Sequence, residues 1–181
     1  MKKEFSAARN YTIAAKTSGL LLEAAETVEN GAAVRLWEAN GSKCQTWRLK
    51  ETEEGLYQIL SRPTGLCLDV MVGGTEDGTW VHQWEFLGGE NQLWDIESLG
   101  EGIYKIKNAG KCLDVIGMSA ENGAGLQLWT DVDGENQQWV IAPAAAKKAA
   151  APKAEKAPKE EKADKPAKKA PAKKKAAKKA E

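Results

Sequence analysis

Gln45-Thr46-Trp47, Gln92-Leu93-Trp94 and Gln137-Gln138-Trp139 spell one pattern three times, a Gln and a Trp separated by a single residue. Their tryptophans lie 47 and 45 residues apart. A near-constant step of that length marks stacked copies of one supersecondary unit, none of which can bury its apolar face alone. Whatever chemistry one copy supports can therefore recur up to three times.

Working outward from Gln-x-Trp, the rest of the unit returns in phase. Each copy opens on a strand-like run: Tyr11-Thr12-Ile13, Leu56-Tyr57-Gln58-Ile59 and Ile103-Tyr104-Lys105-Ile106. A second run follows: Leu22-Glu23-Ala24, Cys67-Leu68-Asp69-Val70 and Cys112-Leu113-Asp114-Val115. Then come the turns Glu29-Asn30-Gly31, Glu76-Asp77-Gly78 and Glu121-Asn122-Gly123, where Asn-Gly and Asp-Gly supply positive φ. A third run closes on Trp37, Trp84 or Trp129, and the fourth starts at the Gln-x-Trp itself. No stretch before Pro143 carries a long helical period. The expected class is all-β, with twelve short strands in three repeats spanning about 9–50, 55–97 and 102–142.

Alternate side chains of a strand point to opposite faces. In Leu126-Gln127-Leu128-Trp129 the leucines share one face and Gln127 and Trp129 the other. In Leu113-Asp114-Val115 the aspartate opposes its apolar neighbours, and Asn136 stands across the strand from Gln137 and Trp139. With the leucines marking the core, Asp114, Gln127 and Trp129 are expected to project away from it toward solvent, as the walls of a pocket.

These recurring motifs resemble those of the ricin-B-type β-trefoil lectins, whose signature is Gln-x-Trp near the end of each of three repeats. The resemblance covers roughly residues 5–142. It implies a six-stranded barrel closed at one end by three hairpins, pseudo-threefold symmetry, and one shallow sugar cleft per repeat. Barrel closure also removes exposed sheet edges.

By the same resemblance, repeat three holds a complete sugar site. Asp114 would accept from two vicinal hydroxyls, since an ionised carboxylate offers several lone pairs. Trp129 would be the platform for the C–H face of a pyranose. Asn136 would both donate and accept, Gln127 would line the cleft, and Gln137 would hold the strand and Asn136 in place. Repeat two keeps Asp69, Trp84, Asn91 and Gln92 at the same separations, with His82 in place of Gln127 and a charge there that would make binding depend on pH. Gln83 stands where the other repeats have Leu36 and Leu128, which suggests a shifted strand. Repeat one has Glu23, Arg35 and Cys44 at the Asp, Gln and Asn positions and is expected to be silent, although Trp37 remains. Gln45 and Trp47 are read as core.

Catalysis finds little support. Asp69 and Asp114 belong to different clefts, so no carboxylate pair faces one bond, and the single histidine leaves no separate triad. No cofactor or metal is expected: the cysteines make no zinc spacing with His82, and the acidic stretch Asp131–Glu135 lacks an EF-hand glycine, so a bend before Asn136 is expected there. Three cysteines without a pairing pattern, no apolar leader after Met1-Lys2-Lys3 and no transmembrane run point to a cytoplasmic protein.

The zero formal charge conceals two opposed halves. Residues 142–181 hold 14 Lys against 5 acidic residues, and the remainder holds 12 basic against 21 acidic. From Pro143 onward only Ala, Lys, Pro, Glu and Asp occur, a composition with nothing larger than Ala to bury, and residues 143–181 are expected to form a disordered tail. That tail resembles linker-histone tails in composition. Two functions follow: a lectin for galactose-like or related glycan residues acting through repeats two and three, or an interaction protein associating with nucleic acid or another polyanion through its lysines, with the trefoil as a structural or protein-binding module.

Overall fold

The computed structural model describes residues 4–144. Twelve strands succeed one another: β1 (Tyr11–Ala15), β2 (Leu21–Ala24), β3 (Ala32–Trp37), β4 (Trp47–Glu51), β5 (Tyr57–Ser61), β6 (Cys67–Val70), β7 (Val81–Trp84), β8 (Asp95–Gly100), β9 (Ile103–Asn108), β10 (Lys111–Val115), β11 (Leu126–Trp129) and β12 (Trp139–Pro143). Helical structure among the described residues is limited to three-residue 3-10 turns. None is long and apolar enough to cross a membrane.

The first and fourth strands of each repeat build a barrel. β1 pairs with β12 and β4, β4 with β5, β8 with β9, and β9 with β12, while a bridge between Tyr57 and Trp94 joins β5 to the chain entering β8. The middle strands form three hairpins, β2–β3, β6–β7 and β10–β11. The hairpins link into a ring through Ala33 opposite His82, Trp80 opposite Gln127, and Gly125 opposite Arg35. The architecture is a β-trefoil.

Burial follows the threefold pattern. Ile13, Ile59 and Ile106 are inaccessible to solvent, as are Leu22, Leu68 and Leu113, and Trp47, Trp94 and Trp139. Each such side chain contributes roughly 1.5–3 kcal/mol when fully buried. Phe5 stacks edge-on or tilted against Tyr11, Tyr57 and Tyr104, one from each repeat, at ring centroids 5.4, 5.6 and 5.3 Å away. A single residue from outside the repeats thus joins all three.

Gln83 does not shift its strand. β7 stays in register with β6, Leu68 opposite Gln83 and Asp69 opposite His82, as Leu113 faces Leu128 and Asp114 faces Gln127. The buried amide is satisfied instead: Gln83 Nε2 donates to the carbonyls of Ala25 and Thr27 at 3.1 and 2.9 Å. A buried polar group with its donors paired costs far less than an orphaned one. Cys44, Cys67 and Cys112 are all free thiols in the interior. The basic tail lies outside the described residues apart from its first two, Pro143 closing β12 opposite Tyr11 and Ala144 donating to the Asn10 carbonyl at 2.8 Å.

Candidate functional site

The Gln-x-Trp motif builds each site from beneath. The indole Nε1 of Trp47, Trp94 and Trp139 donates to the carbonyl of Leu22, Leu68 and Leu113, at 2.9, 3.0 and 3.0 Å. The next residue in each case is the site carboxylate: Glu23, Asp69 or Asp114. The glutamines sit in 3-10 turns just before the fourth strands. Their side-chain oxygens accept from Asn40, Leu87 and Val132 amides, and their Nε2 groups donate to Glu38, Glu85 and Thr130 carbonyls. They staple the loop that follows the platform tryptophan.

The carboxylates do not face solvent as strand parity suggested. Asp114 and Asp69 are each 3 % exposed. They do point away from the leucines, but the 3-10 turn bearing Asn136 and Gln137 covers that second face. Asp114 Oδ1 accepts from Gln127 Nε2 at 3.0 Å, and Oδ2 accepts from Asn136 Nδ2 at 2.6 Å and Gln137 Nε2 at 3.1 Å. Three of about four acceptor positions are therefore occupied, which leaves room for about one hydroxyl rather than two. Burial pushes the Asp114 carboxyl above the usual carboxylate range, opposed by the three amides.

The same turn overturns the assignment of Asn136 to the face opposite Gln137. In 3-10 geometry neighbouring residues are about 120° apart, not 180° as on a strand, so both reach Asp114. Gln137 is wholly buried with both amide ends committed, and Gln92 is 2 % exposed and likewise committed. Both side chains spend their hydrogen-bonding groups on the protein itself.

The tryptophans that close the third strands lie above these networks. Trp129 is 39 % exposed, while Trp84 and Trp37 are half-buried. Each is walled by the turn of the preceding repeat, a feature that per-repeat sequence comparison missed. Gly31, Gly78 and Gly123 hold φ of +85°, +86° and +93° and donate their amides to Gln83, Leu128 and Leu36 carbonyls at 2.9, 2.9 and 2.8 Å. A Cβ on them would meet the edges of Trp84, Trp129 and Trp37 at 3.6, 4.0 and 3.8 Å. Beside each glycine, Asn30, Asp77 or Asn122 accepts the amide of the residue after the platform, Glu85, Thr130 or Glu38, at 2.8, 2.7 and 2.7 Å. The signal was present, since these side chains occur in register, but it read only as turn chemistry.

The three sites differ in what meets the carboxylate from the third strand. Repeat two uses His82, whose Nε2 lies 2.8 Å from Asp69 Oδ1, and Asn91 Nδ2 donates to Asp69 Oδ2 at 3.0 Å. His82 Nδ1 is buried and unpartnered among the described residues. Repeat one uses Arg35, which donates to Glu23 Oε1 at 3.2 Å and lies over Trp37, 4.4 Å from the ring centroid. Cys44 leaves no amide at the Asn position, yet Asn40 supplies one, donating to Glu23 Oε2 at 3.1 Å. Near repeat three, Lys105 Nζ holds Asp131 and Asp133 at 2.8 and 2.9 Å, pulling the Asp131 carboxyl well below the usual range. The acidic bend thus carries its own cation, and among the described residues no cluster suited to a metal occurs.

A family model for the ricin-type beta-trefoil lectin domain matches residues 9–139. No curated protein matches in sequence. Among solved structures, the chain is similar to ThreeFoil, a designed threefold-symmetric protein, with 36 % identity over 73 % of this chain and 96 % of that one at a TM-score of 0.71. It is also similar to the exo-β-1,3-galactanase 1,3Gal43A of Clostridium thermocellum, with 34 % identity over 78 % of this chain, at a TM-score of 0.73. The match takes in 31 % of that enzyme. The Macrolepiota procera ricin B-like lectin, solved with lactose, shares the fold at 21 % identity over 77 % of this chain and 98 % of that one, with a TM-score of 0.65. With most of its length matched by the family model and its three hairpins closing a six-stranded barrel, the chain belongs to the ricin-type beta-trefoil lectin domain family.

Proposed function

We propose that this protein is a non-catalytic carbohydrate-binding protein that recognises galactose-like glycan residues through the clefts of repeats two and three. The observation that carries this is the pairing, in repeats two and three, of a part-exposed tryptophan with a buried carboxylate that keeps acceptor capacity: Asp114 meets three amides, and Asp69 meets His82 and Asn91. A pyranose stacked on Trp129 brings a hydroxyl to Asp114, with Asn136 and Gln127 flanking it. On Trp84 a hydroxyl would meet Asp69, which His82 and Asn91 hold in place. Galactose is favoured as the class because the lectin fold recurs with lactose in one relative and within a β-1,3-galactanase in another.

Single shallow sites of this kind bind in the millimolar range, about −4 kcal/mol, and two on one rigid body raise apparent affinity for a repeating glycan through effective concentration. Calorimetric titration with galactose, lactose and xylo-oligosaccharides is the test. Galactosides should bind at two sites, and the Trp84→Ala, Trp129→Ala double variant should give no heat. Xylo-oligosaccharide binding without galactoside binding overturns the sugar class, and an unchanged double variant overturns the clefts.

The lysine excess of residues 142–181 favours a second role, association of a cytoplasmic protein with nucleic acid or another polyanion. Its signature is salt dependence: the logarithm of the binding constant falls linearly with that of salt, by about 0.7–0.9 per phosphate contact. Sugar binding uses neutral hydroxyls and should hardly respond. Equal retention of the full chain and residues 1–142 on DNA, RNA and heparin at low salt would eliminate this role.

A further inference from the structure

Six tryptophans belong to the repeat, and the seventh does not. Trp80 stands where the other repeats have Ala33 and Gly125, at the position that links each hairpin to the next. It faces Gln127 across an antiparallel bridge. Directly opposed residues on such a pair send their side chains to the same face. Gln127 uses that face to reach Asp114. The indole of Trp80 therefore rises on the site face of repeat three. Trp129, two residues beyond Gln127 on the same strand, lies diagonally across from it, at a spacing of about 7–8 Å or somewhat less between Cβ atoms for such neighbours.

Two further observations support this placement. Gly78 precedes Trp80 by two residues, and a Cβ on it would meet Gln127 Oε1 at 3.9 Å and the Trp129 ring at 4.0 Å, so this strip of chain lines the cleft. Its backbone is pinned on both sides: Met71 donates to the Trp80 carbonyl at 3.0 Å, Leu128 donates to the Thr79 carbonyl at 2.8 Å, and Gly78 donates to Leu128 at 2.9 Å. Yet Trp80 is 60 % exposed, against 39 % for Trp129. The fold sets a large apolar ring on a pinned backbone, mostly in water beside the Trp129 platform, and gains little burial from it. A rigid aromatic surface of this kind loses little conformational entropy when a ligand covers it.

We propose that Trp80 is a second aromatic platform, which extends the repeat-three cleft to two subsites and receives the sugar ring linked to the one stacked on Trp129. Repeats one and two, with Gly125 and Ala33 at this position, lack the second subsite. Repeat three thus selects disaccharides and longer chains, and repeat two takes single residues. This rests on the carbohydrate reading above.

The experiment titrates galactose, lactose and β-1,3-galactobiose into the full chain carrying Trp84→Ala, so that repeat three alone is read. One of the disaccharides should bind about 3- to 10-fold tighter than galactose, the range expected for one added aromatic contact. Trp80→Ala should remove that gain and leave galactose affinity unchanged. In the unaltered chain, the Trp80 indole N–H resonance should shift with that disaccharide and not with galactose. Conversely, Ala33→Trp in a Trp129→Ala chain should confer the same preference on repeat two. A disaccharide-to-galactose ratio untouched by Trp80→Ala, an equal loss of both, or equal affinities at the outset overturns the second subsite while leaving the carbohydrate reading intact. Failure of all three sugars to bind the unaltered chain overturns both.

Discussion

Repeats one and three hang the same parts on the same hairpin, yet only one leaves its platform free. In each, a buried carboxylate follows a leucine held by the Gln-x-Trp indole, a tryptophan ends the third strand, and a neighbour's turn walls it in. The difference lies in what neutralises the carboxylate. Asp114 is served by three amides, which take no space above Trp129. Glu23 is served by Asn40, Gln45 and Arg35, and the arginine's guanidinium lies over Trp37. A pyranose must displace this cation–π contact, which contributes about 0.5–2 kcal/mol and so removes a sizeable share of the about 4 kcal/mol that a weak sugar site offers. On the proposed reading the carboxylate and tryptophan alone do not make a site, and the third partner decides.

The largest expected effect comes from removing Asp114. Asp114→Ala takes the acceptor from three amide donors, Gln137 buried and Gln127 and Asn136 part-buried, and should cost about 1–3 kcal/mol of stability in urea titration, besides abolishing binding at repeat three. Glu23→Ala should cost less, because Arg35 has solvent within reach. Equal costs would break the contrast.

Trp129→Ala comes next, with a loss of about 1.5–3 kcal/mol in galactoside affinity at repeat three and little change in folding, as the ring is already part exposed. Trp37→Ala should leave the titration unaltered, and a drop in stoichiometry there would show repeat one to be active. The comparison sharpens in the opposite direction with Glu23→Asp, Arg35→Gln. That change should uncover Trp37 and raise the number of galactoside sites from two to three, at an affinity within about tenfold of repeat three.

The smallest effect is one of pH. Because the folded Asp114 carboxyl lies above its usual range, it takes up a proton at a higher pH than an ordinary aspartate and loses its acceptor role there. Galactoside binding at repeat three should weaken on acidification before the ordinary aspartate range is reached. The stability contribution runs in the same sense as the proton count: the native state holds a proton the unfolded chain has released, so this group's contribution declines as pH rises through that interval. Asp131, held below its usual range by Lys105, acts oppositely, its contribution present above the unfolded value and lost on acidification. Stability followed from about pH 6 down to about pH 2 should separate the two, because Lys105→Met should remove the Asp131 contribution and leave that of Asp114.

Much of this molecule was legible as written. Twelve strands, three repeats and the buried ring of Trp47, Trp94 and Trp139 follow from period and alternation, because a chain that must bury one face of each short strand records that face in its sequence. The residues proposed as carboxylate, platform and amide could be lined up too, since the three copies recur in register. Tertiary structure alone decided how buried Asp114 and Asp69 are, because strand parity identifies a face but not what covers it. It alone made Gln137 and Gln92 supports, brought Asn40 in for the missing amide, and seated each turn's Asn or Asp beside the next repeat's tryptophan. Those contacts join residues about fifty positions apart or more, or lie within turns whose geometry no alternation encodes, and only closure of the hairpin ring creates them.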